Sequence, residues 1–240
     1  MSTIRENIAK VRARIRGAAQ ACGRDLQGVG LLAVSKTQAA SAIREAYACG
    51  LTDFGENYLQ EALAKQAELR DLPLTWHFIG PIQANKTRSI AESFAWVHSL
   101  DRLKIAERLS AQRPSGLPPL NICLQVNVSG ETSKSGCSPA ELPALALAIS
   151  QLPGLRLRGL MAIPQPTTDA GEQHAAFARL RALRDGLELP PGTPPLDSLS
   201  MGMSEDLEAA IAEGASWVRI GSAIFGARAY AAPATQGNHP

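Results

Sequence analysis

The stretch "GLLAVSKTQAASAIREAYACGLTDFGE", residues 30–56, decides how the fold is interpreted. Its apolar beginning, 30–36, is typical of a short buried strand, 38–49 favours a helix, and 51–56 is again typical of a strand. Two strands joined through a helix pair in parallel, because a tight hairpin cannot make that connection. The segment therefore predicts a β–α–β unit, with Lys36 at the carboxyl end of its first strand.

The same alternation continues along the chain. Further strands are predicted at 74–80, 94–100, 120–129, 155–163, 196–203 and 216–222, and helices at 57–70, 82–92, 101–112, 139–151, 170–186 and 204–213. A short C-terminal segment supplies an eighth helix, and apolar residues at helical spacing predict an extra N-terminal helix: Ile4, Ile8, Val11 and Ile15.

We therefore expect a single (β/α)8 TIM barrel domain over residues 1–230, in the α/β class, and a disordered tail over 231–240. The alternative is an open doubly wound sheet, although no GxGxxG motif follows the first strand. If the barrel is right, groups that bind or react lie at the carboxyl ends of the strands.

Composition excludes several classes of function. A net charge of +2 gives no argument for nucleic acid or an acidic membrane surface as a partner. The four cysteines form no CxxC pair, so we expect reduced thiols and a cytoplasmic location. No run approaches membrane-spanning length, and the charged N-terminus lacks a signal-peptide core. We expect a monomer.

Lys36 is the first candidate for chemistry. A partly desolvated amine at a barrel mouth has a lowered pKa and can attack a carbonyl to form a Schiff base. The competing interpretation is a lysine whose charge reaches solvent at a loop start, which is the commoner fate of lysines. Position alone favours that second interpretation.

The last two strands change this balance. "SMGMSEDLEAAI" (200–211) places Gly202 and Ser204 before a helix, and "VRIGSAIFG" (218–226) places Gly221 and Ser222 at a strand end. Barrels often bind phosphate there through loop amides and hydroxyls. Ser204 could instead be only a helix cap and Gly221 only a turn, and the acidic pair 205–206 disfavours an anion unless it points outward.

A carbonyl-capturing lysine opposite a phosphate site describes pyridoxal 5′-phosphate (PLP), which also needs a partner for its pyridine nitrogen. Arg219 lies two residues before Gly221 on the same face of its strand. It could face that nitrogen, or it could pair with an acidic group inside the barrel.

Seven longer stretches resemble the pyridoxal phosphate homeostasis proteins, in order from about residue 30 to 228: "AVSKTQ", "DFGENYLQE", "WHFIGPIQANK", "VNVSGETSKSG", "RGLMAIP", "LSMGMSEDLEAAI" and "VRIGSAIFGAR". That family resembles the barrel domain of alanine racemase, a fold-type III PLP-binding barrel. The resemblance implies that Lys36 forms the Schiff base and that Arg219 faces the pyridine nitrogen. It further implies phosphate contacts and pocket walls from these residues: Ser204, Gly221, Ser222, Asn57, His77, Met203 and, less directly, Met161.

Other positions carry weaker signals. Gln38 stands where many relatives have a second lysine, so a reserve amine is lost there. Lys134 could contact an anion, although a solvated loop lysine is the commoner case. His77 and His98 lack the spacing of a metal site, so we expect no metal. Lys86 and Arg88 fit an exposed helix face.

Three functions remain open on the residues alone: a PLP-binding protein that buffers or delivers the cofactor, a racemase-like PLP enzyme, and a Schiff-base aldolase without PLP. The aldolase gives Arg219 no role. An arginine at the pyridine nitrogen disfavours its protonation and leaves the ring a poor electron sink, which argues against the racemase. With the family resemblance, we expect PLP homeostasis without efficient catalysis, and apo forms of PLP-dependent enzymes as candidate recipients.

Overall fold

The computed structural model describes residues 3–130 and 135–226, which form a closed barrel of parallel strands in chain order. The strands are β1 (Gly30–Val34), β2 (Asp53–Glu56), β3 (Thr75–Phe78), β4 (Trp96–Leu100), β5 (Leu120–Gln125), β6 (Leu155–Met161), β7 (Ser198–Ser200) and β8 (Trp217–Ile220). Pairing of β1 with β8 closes the cylinder. The predicted TIM barrel is confirmed, and the open sheet is wrong.

Helices cover the outside of the barrel. They are α1 (Ile4–Ala21), α2 (Ala40–Ala48), α3 (Leu59–Glu68), α4 (Thr87–Ser93), α5 (Leu103–Gln112), α6 (Leu142–Ser150), α7 (Ala170–Asp185), α8 (Leu207–Ala212) and α9 (Ser222–Phe225). Within the described ranges, none of these helices has the length and apolar character to cross a bilayer. The predicted cytoplasmic location, monomer and domain bounds stay predictions, and the predicted tail at 231–240 lies outside the described residues.

The extra N-terminal helix α1 is present and packs on the barrel. Thr3 and Glu6 form a reciprocal capping box at its start. Three of the four residues of its predicted apolar stripe are buried, Ile8, Val11 and Ile15, together with Ala19, while Ile4 is half-buried. Asn7 donates to the carbonyl of Ile224 at 2.9 Å, which ties α1 to the chain just after β8.

The start of α6 differs from the expectation. The sequence predicts a helix from residue 139, and Ser138 and Glu141 make the hydrogen bonds of a capping box, yet the helix begins only at Leu142. Pro143 has no amide proton to donate to the preceding turn, so the chain passes through a turn before regular helix begins.

The barrel interior is unusually polar. TIM barrels commonly fill this space with Val, Ile and Leu. Here the buried polar side chains of the strands include His77, His98, Gln125, Ser198, Ser200 and Arg219. Each such group needs a partner to offset its lost hydration, so these strands are built around hydrogen bonds as well as apolar contacts.

Candidate functional site

A pocket of about 300 Å³ lies at the carboxyl ends of the strands. Because all eight strands run the same way, the loops after β1, β2, β3, β6, β7 and β8 meet there. The pocket is lined by Val34, Lys36, Gln38, Asn57, Ile79, Ile163, Met203, Ser204, Glu205, Arg219, Gly221, Ser222 and Gly226. Seven of the eight site residues that the sequence suggests are therefore together, and His77 is not among them.

A buried ion cluster of Lys65, Glu56 and Glu61 holds the loop that carries Lys36. Lys65 of α3 donates to the carbonyl of Ser35 at 2.7 Å, to Glu56 Oε1 at 2.8 Å and to Glu61 Oε1. These three bonds use all three donors of its ammonium group. The Lys65 side chain is 7% exposed and that of Glu56 is fully buried, so the cluster replaces water as the partner of both charges.

The same cluster fixes the peptide groups on both sides of Lys36. The amide of Thr37 donates to Glu61 Oε1, while Lys65 binds the carbonyl of Ser35. Thr37 has a φ of 65°, a left-handed conformation that a β-branched residue rarely adopts. We infer that the cluster holds the loop in this strained form and thereby sets the direction of Lys36.

Asn57 shows how closely the neighbouring loops pack. A Cβ added to Gly80 would lie 2.2 Å from the carbonyl oxygen of Asn57, so only glycine lets the loop after β3 approach this far. The side-chain Oδ1 of Asn57 is buried and has no hydrogen-bond partner within the described ranges. An acceptor in that state beside a pocket suits a polar ligand.

The loop after β7 turns sharply toward the pocket. Gly202 has a φ of 89°, where a Cβ would lie 2.5 Å from that of Ala210. Asp206 accepts a hydrogen bond from the amide of Met203 at 2.6 Å, so its carboxylate braces the loop. Glu205 does line the pocket and is exposed, which leaves one negative charge near the expected phosphate position.

Arg219 lies at the inner end of the pocket and is 5% exposed. Its Nη1 donates to Ser200 Oγ at 2.9 Å and its Nη2 to the carbonyl of Ala162 at 3.0 Å. Burial lowers its pKa to about 10, so the guanidinium remains charged at neutral pH. Its hydrogen-bond partners are a hydroxyl and a carbonyl, not the interior carboxylate that the alternative interpretation required.

Two expected pocket residues are elsewhere, and this corrects the prediction. His77 is fully buried inside β3, not at its end, and binds Asp53 at 3.1 Å and His98 at 3.0 Å. Met161 is fully buried against Trp96 and Cys123. Both predicted strands end two residues beyond the observed ends at Phe78 and Met161, and both side chains lie in the barrel interior and not at its mouth.

The family described as "Alanine racemase, N-terminal domain" matches residues 1–229. A curated pyridoxal phosphate homeostasis protein of Pseudomonas aeruginosa is 74% identical over 98% of this chain and 100% of its own. This chain belongs to the pyridoxal phosphate homeostasis protein family. A family member from Escherichia coli is 52% identical over 96% of this chain and 99% of its own.

Solved structures agree with this assignment. PipY of Synechococcus elongatus, described with PLP bound, is 43% identical, has a TM-score of 0.79, and is matched over 93% of this chain and 100% of its own. Alanine racemase of Corynebacterium glutamicum is 17% identical with a TM-score of 0.62, which supports the barrel fold alone. This chain spans 62% of that racemase's length.

The two interior histidines predict acid sensitivity of the fold. Burial lowers the pKa of His77 and, together with His77 and Arg219, places that of His98 well below 6.5. The unfolded chain takes up these protons near pH 6.5 and the folded chain does not. Stability should therefore be level above about pH 6.5 and decrease as the pH falls, by up to about 1.4 kcal/mol per pH unit for each histidine.

Urea unfolding between roughly pH 5.5 and 7.5 tests this slope. His98→Asn should flatten it, and His174→Asn, a substitution at a half-exposed position on α7 outside the barrel interior, is the control. A profile that stays level in the wild-type protein would contradict the prediction.

Proposed function

We propose that this protein binds PLP in the pocket after the barrel strands, holds it reversibly through Lys36, and serves the intracellular supply of the cofactor without efficient turnover of its own. One observation carries the proposal: a lysine, a buried charged arginine and two Gly/Ser loops line the same cavity. The name of the relatives and the PLP described in PipY support the choice of ligand.

The residues present fit PLP in kind and in number. Neutral Lys36 can add its Nζ to the aldehyde carbon, and loss of one water leaves a C=N bond that water can later reverse. Ser204 and Ser222 offer hydroxyl donors to the phosphate, and Gly221 lets the backbone come close. When bound, PLP supplies an electrophilic carbonyl and an aromatic ring that can accept electrons.

The charge of Arg219 supports holding PLP over transforming amino acids. A pyridine nitrogen facing a guanidinium accepts a hydrogen bond and stays unprotonated, which makes the ring a weak electron sink. Among the lining residues described, only Glu205 is titratable besides Lys36 and Arg219, and Glu205 is exposed. A second, well-placed acid or base would be needed for racemisation.

The test begins with the visible spectrum of the purified protein incubated with PLP. Borohydride should fix the cofactor on the peptide that contains Lys36, one of six lysines in the chain. Mass spectrometry that finds the label on Lys86 or Lys134 instead would overturn the assignment. Absence of any absorbing complex would overturn PLP binding altogether.

Delivery and catalysis are separated in a second experiment. Loaded protein is mixed with an apo PLP-dependent enzyme, and recovery of that enzyme's activity is followed against free PLP at the same concentration. Amino acids are screened in parallel for racemisation, decarboxylation and transamination. Turnover of roughly 1–10³ s⁻¹ on any of them would restore the racemase alternative. If no PLP passes to the apo enzyme, delivery is excluded and only storage of the cofactor remains.

Ser204→Ala should weaken PLP binding by about 1–3 kcal/mol, because a buried anion oxygen then loses a donor. Pyridoxal, which lacks the phosphate, should bind the variant and the wild type alike. Ser138→Ala is the matched control, since Ser138 lies in the capping turn before α6. Equal losses for PLP and pyridoxal would place the phosphate elsewhere.

A further inference from the structure

A continuous line of hydrogen bonds crosses the barrel interior. It starts at Asp53, at the amino-terminal end of the strands, and ends at Arg219 in the pocket beyond their carboxyl ends. Asp53 Oδ1 lies 3.1 Å from His77 Nε2, and His77 Nδ1 lies 3.0 Å from His98 Nε2. His98 Nδ1 lies 2.7 Å from Ser200 Oγ, which accepts from Arg219 Nη1 at 2.9 Å. The two histidines, Ser200 and Arg219 are buried. We call these five residues the barrel relay.

The chemistry of the two ends fixes every proton between them. Arg219 can only donate to Ser200 Oγ and the Asp53 carboxylate at the other end can only accept, so with both histidines neutral the Ser200 hydroxyl must donate its own proton to His98 Nδ1. A neutral His98 then carries its proton on Nε2 and gives it to His77 Nδ1. His77 in turn donates from Nε2 to Asp53, which as a carboxylate can only accept. No group in the line is left without its complementary partner.

The ionised state of Asp53 agrees with its role as the acceptor at the end of the relay. Burial opposes ionisation of Asp53, but hydrogen bonds from His77 and Thr52 outweigh it and lower its pKa. The Asp53 side chain is 25% exposed and lines a second cavity, of about 290 Å³, beside Arg12 and Arg16. The relay thus joins a carboxylate that is partly exposed at the far end of the barrel to a buried arginine that lines the pocket.

Other titratable and charged groups near the relay do not change which group donates each hydrogen bond. Burial raises the pKa of Cys123 to about 12, so its thiol is neutral. Arg158 lies over the ring of Trp96 at 4.7 Å and is paired with Asp197. Asp206 acts on Arg219 through space and is bound to the Met203 amide. Trp96 stacks on His77 with an interplanar angle of 6° and holds that ring in place.

We propose that Asp53, His77, His98 and Ser200 are positioning residues that orient Arg219 toward the ring nitrogen of bound PLP. Ser200 and the Ala162 carbonyl take two donors of the guanidinium and fix its plane. Because the Ser200 proton is committed to His98, Ser200 always presents a lone pair to Arg219. This inference rests on the proposed PLP binding for its function, whereas the proton arrangement itself can be tested without PLP.

The first test uses nuclear magnetic resonance of the full chain with isotope-labelled histidine and no added PLP. The rings of His77 and His98 should both be neutral, with the proton on Nε2, from about pH 6 to 8. A proton on Nδ1 of either ring, or an imidazolium that titrates near 6.5, would overturn the relay. This result does not depend on whether PLP binds.

The second test follows the absorbance of bound PLP against pH and the PLP dissociation constant. Ser200→Ala should shift the absorbance profile and weaken PLP about tenfold, the effect of one hydrogen bond to a charged group. Ser198→Ala is the matched control, since Ser198 lies on the same face of β7 and bonds to Asp197 instead. Asp53→Leu should shift the profile in the same direction, and Asp53→Asn, which keeps an acceptor, should restore it.

The double variant Ser200→Ala/Asp53→Leu separates a relay from two independent sites. In a relay, the effect of the double variant should not exceed that of Ser200→Ala. Removing the Ser200 hydroxyl already disconnects Arg219 from His98, so Asp53 can no longer influence it. Additive effects, or an Asp53→Leu profile equal to wild type, would overturn the coupling. If wild-type protein itself fails to bind PLP, the proposed function falls, and the proton positions still decide the relay.

Discussion

Lys65→Met should lower the free energy of unfolding by about 3–5 kcal/mol, the usual cost of removing one partner from a buried ion pair. Glu56 is fully buried and Glu61 is 29% exposed, and both lose their shared cation. Burial already raises the pKa of Glu56 against its hydrogen bonds to Lys65 and Ser35. Denaturant unfolding at pH 7 measures the change, and Lys10→Met on the exposed face of α1 is the control.

A compensating variant makes this prediction specific. Lys65→Met/Glu56→Leu replaces the pair by apolar groups and should recover most of the loss, since the buried charge no longer lacks a partner. A double variant as unstable as the single one would show that Lys65 acts through packing and not through charge.

Lys65→Met should also disturb the position of Lys36. Without Lys65, the Ser35 carbonyl loses one donor and keeps the Gln38 amide. Glu61, which accepts from the amide of the strained Thr37 on the other side of the reactive lysine, loses its cation. We expect slower borohydride trapping of PLP even at temperatures where Lys65→Met is fully folded. Unchanged trapping would mean that the loop holds its shape unaided.

The alternation of apolar strands and helices made the barrel predictable, because a strand–helix–strand repeat leaves few closed arrangements. Lys36 and the Gly/Ser turns at 202–204 and 221–222 could be found for the same reason: each follows a strand directly. Their side of the barrel is fixed once the strands are parallel.

The hydrogen-bonded side chains of the barrel interior could not be predicted from the sequence in the same way. Asp53 and Ser200 are ordinary residues at strand positions, and only the register between β2, β3, β4, β7 and β8 brings them into line with the histidines. Lys65 had a signal that could have been used: it is four residues after Glu61, on the face of α3 that carries the buried Ala62. A lysine on a buried helix face needs a carboxylate nearby.

Lys36→Ala should reduce retention of PLP by at least about a hundredfold, or ~2.7 kcal/mol, because the C=N bond is lost while the noncovalent contacts remain. Ser204, Ser222 and Arg219 still line the pocket, so weak binding should persist and should still require the phosphate. Equilibrium dialysis and loss of the absorbing complex measure this. Lys104→Ala, exposed on α5, is the control.

Stability separates this variant from Lys65→Met. Lys36 lines the pocket and is only half-buried, so its truncation should change the unfolding free energy by less than about 1 kcal/mol. Lys36→Ala should therefore lose the cofactor and keep the fold, whereas Lys65→Met weakens both. Should Lys36→Ala retain PLP with wild-type affinity and still be trapped by borohydride, a different amine must capture the aldehyde, and the assignment of this pocket would be wrong.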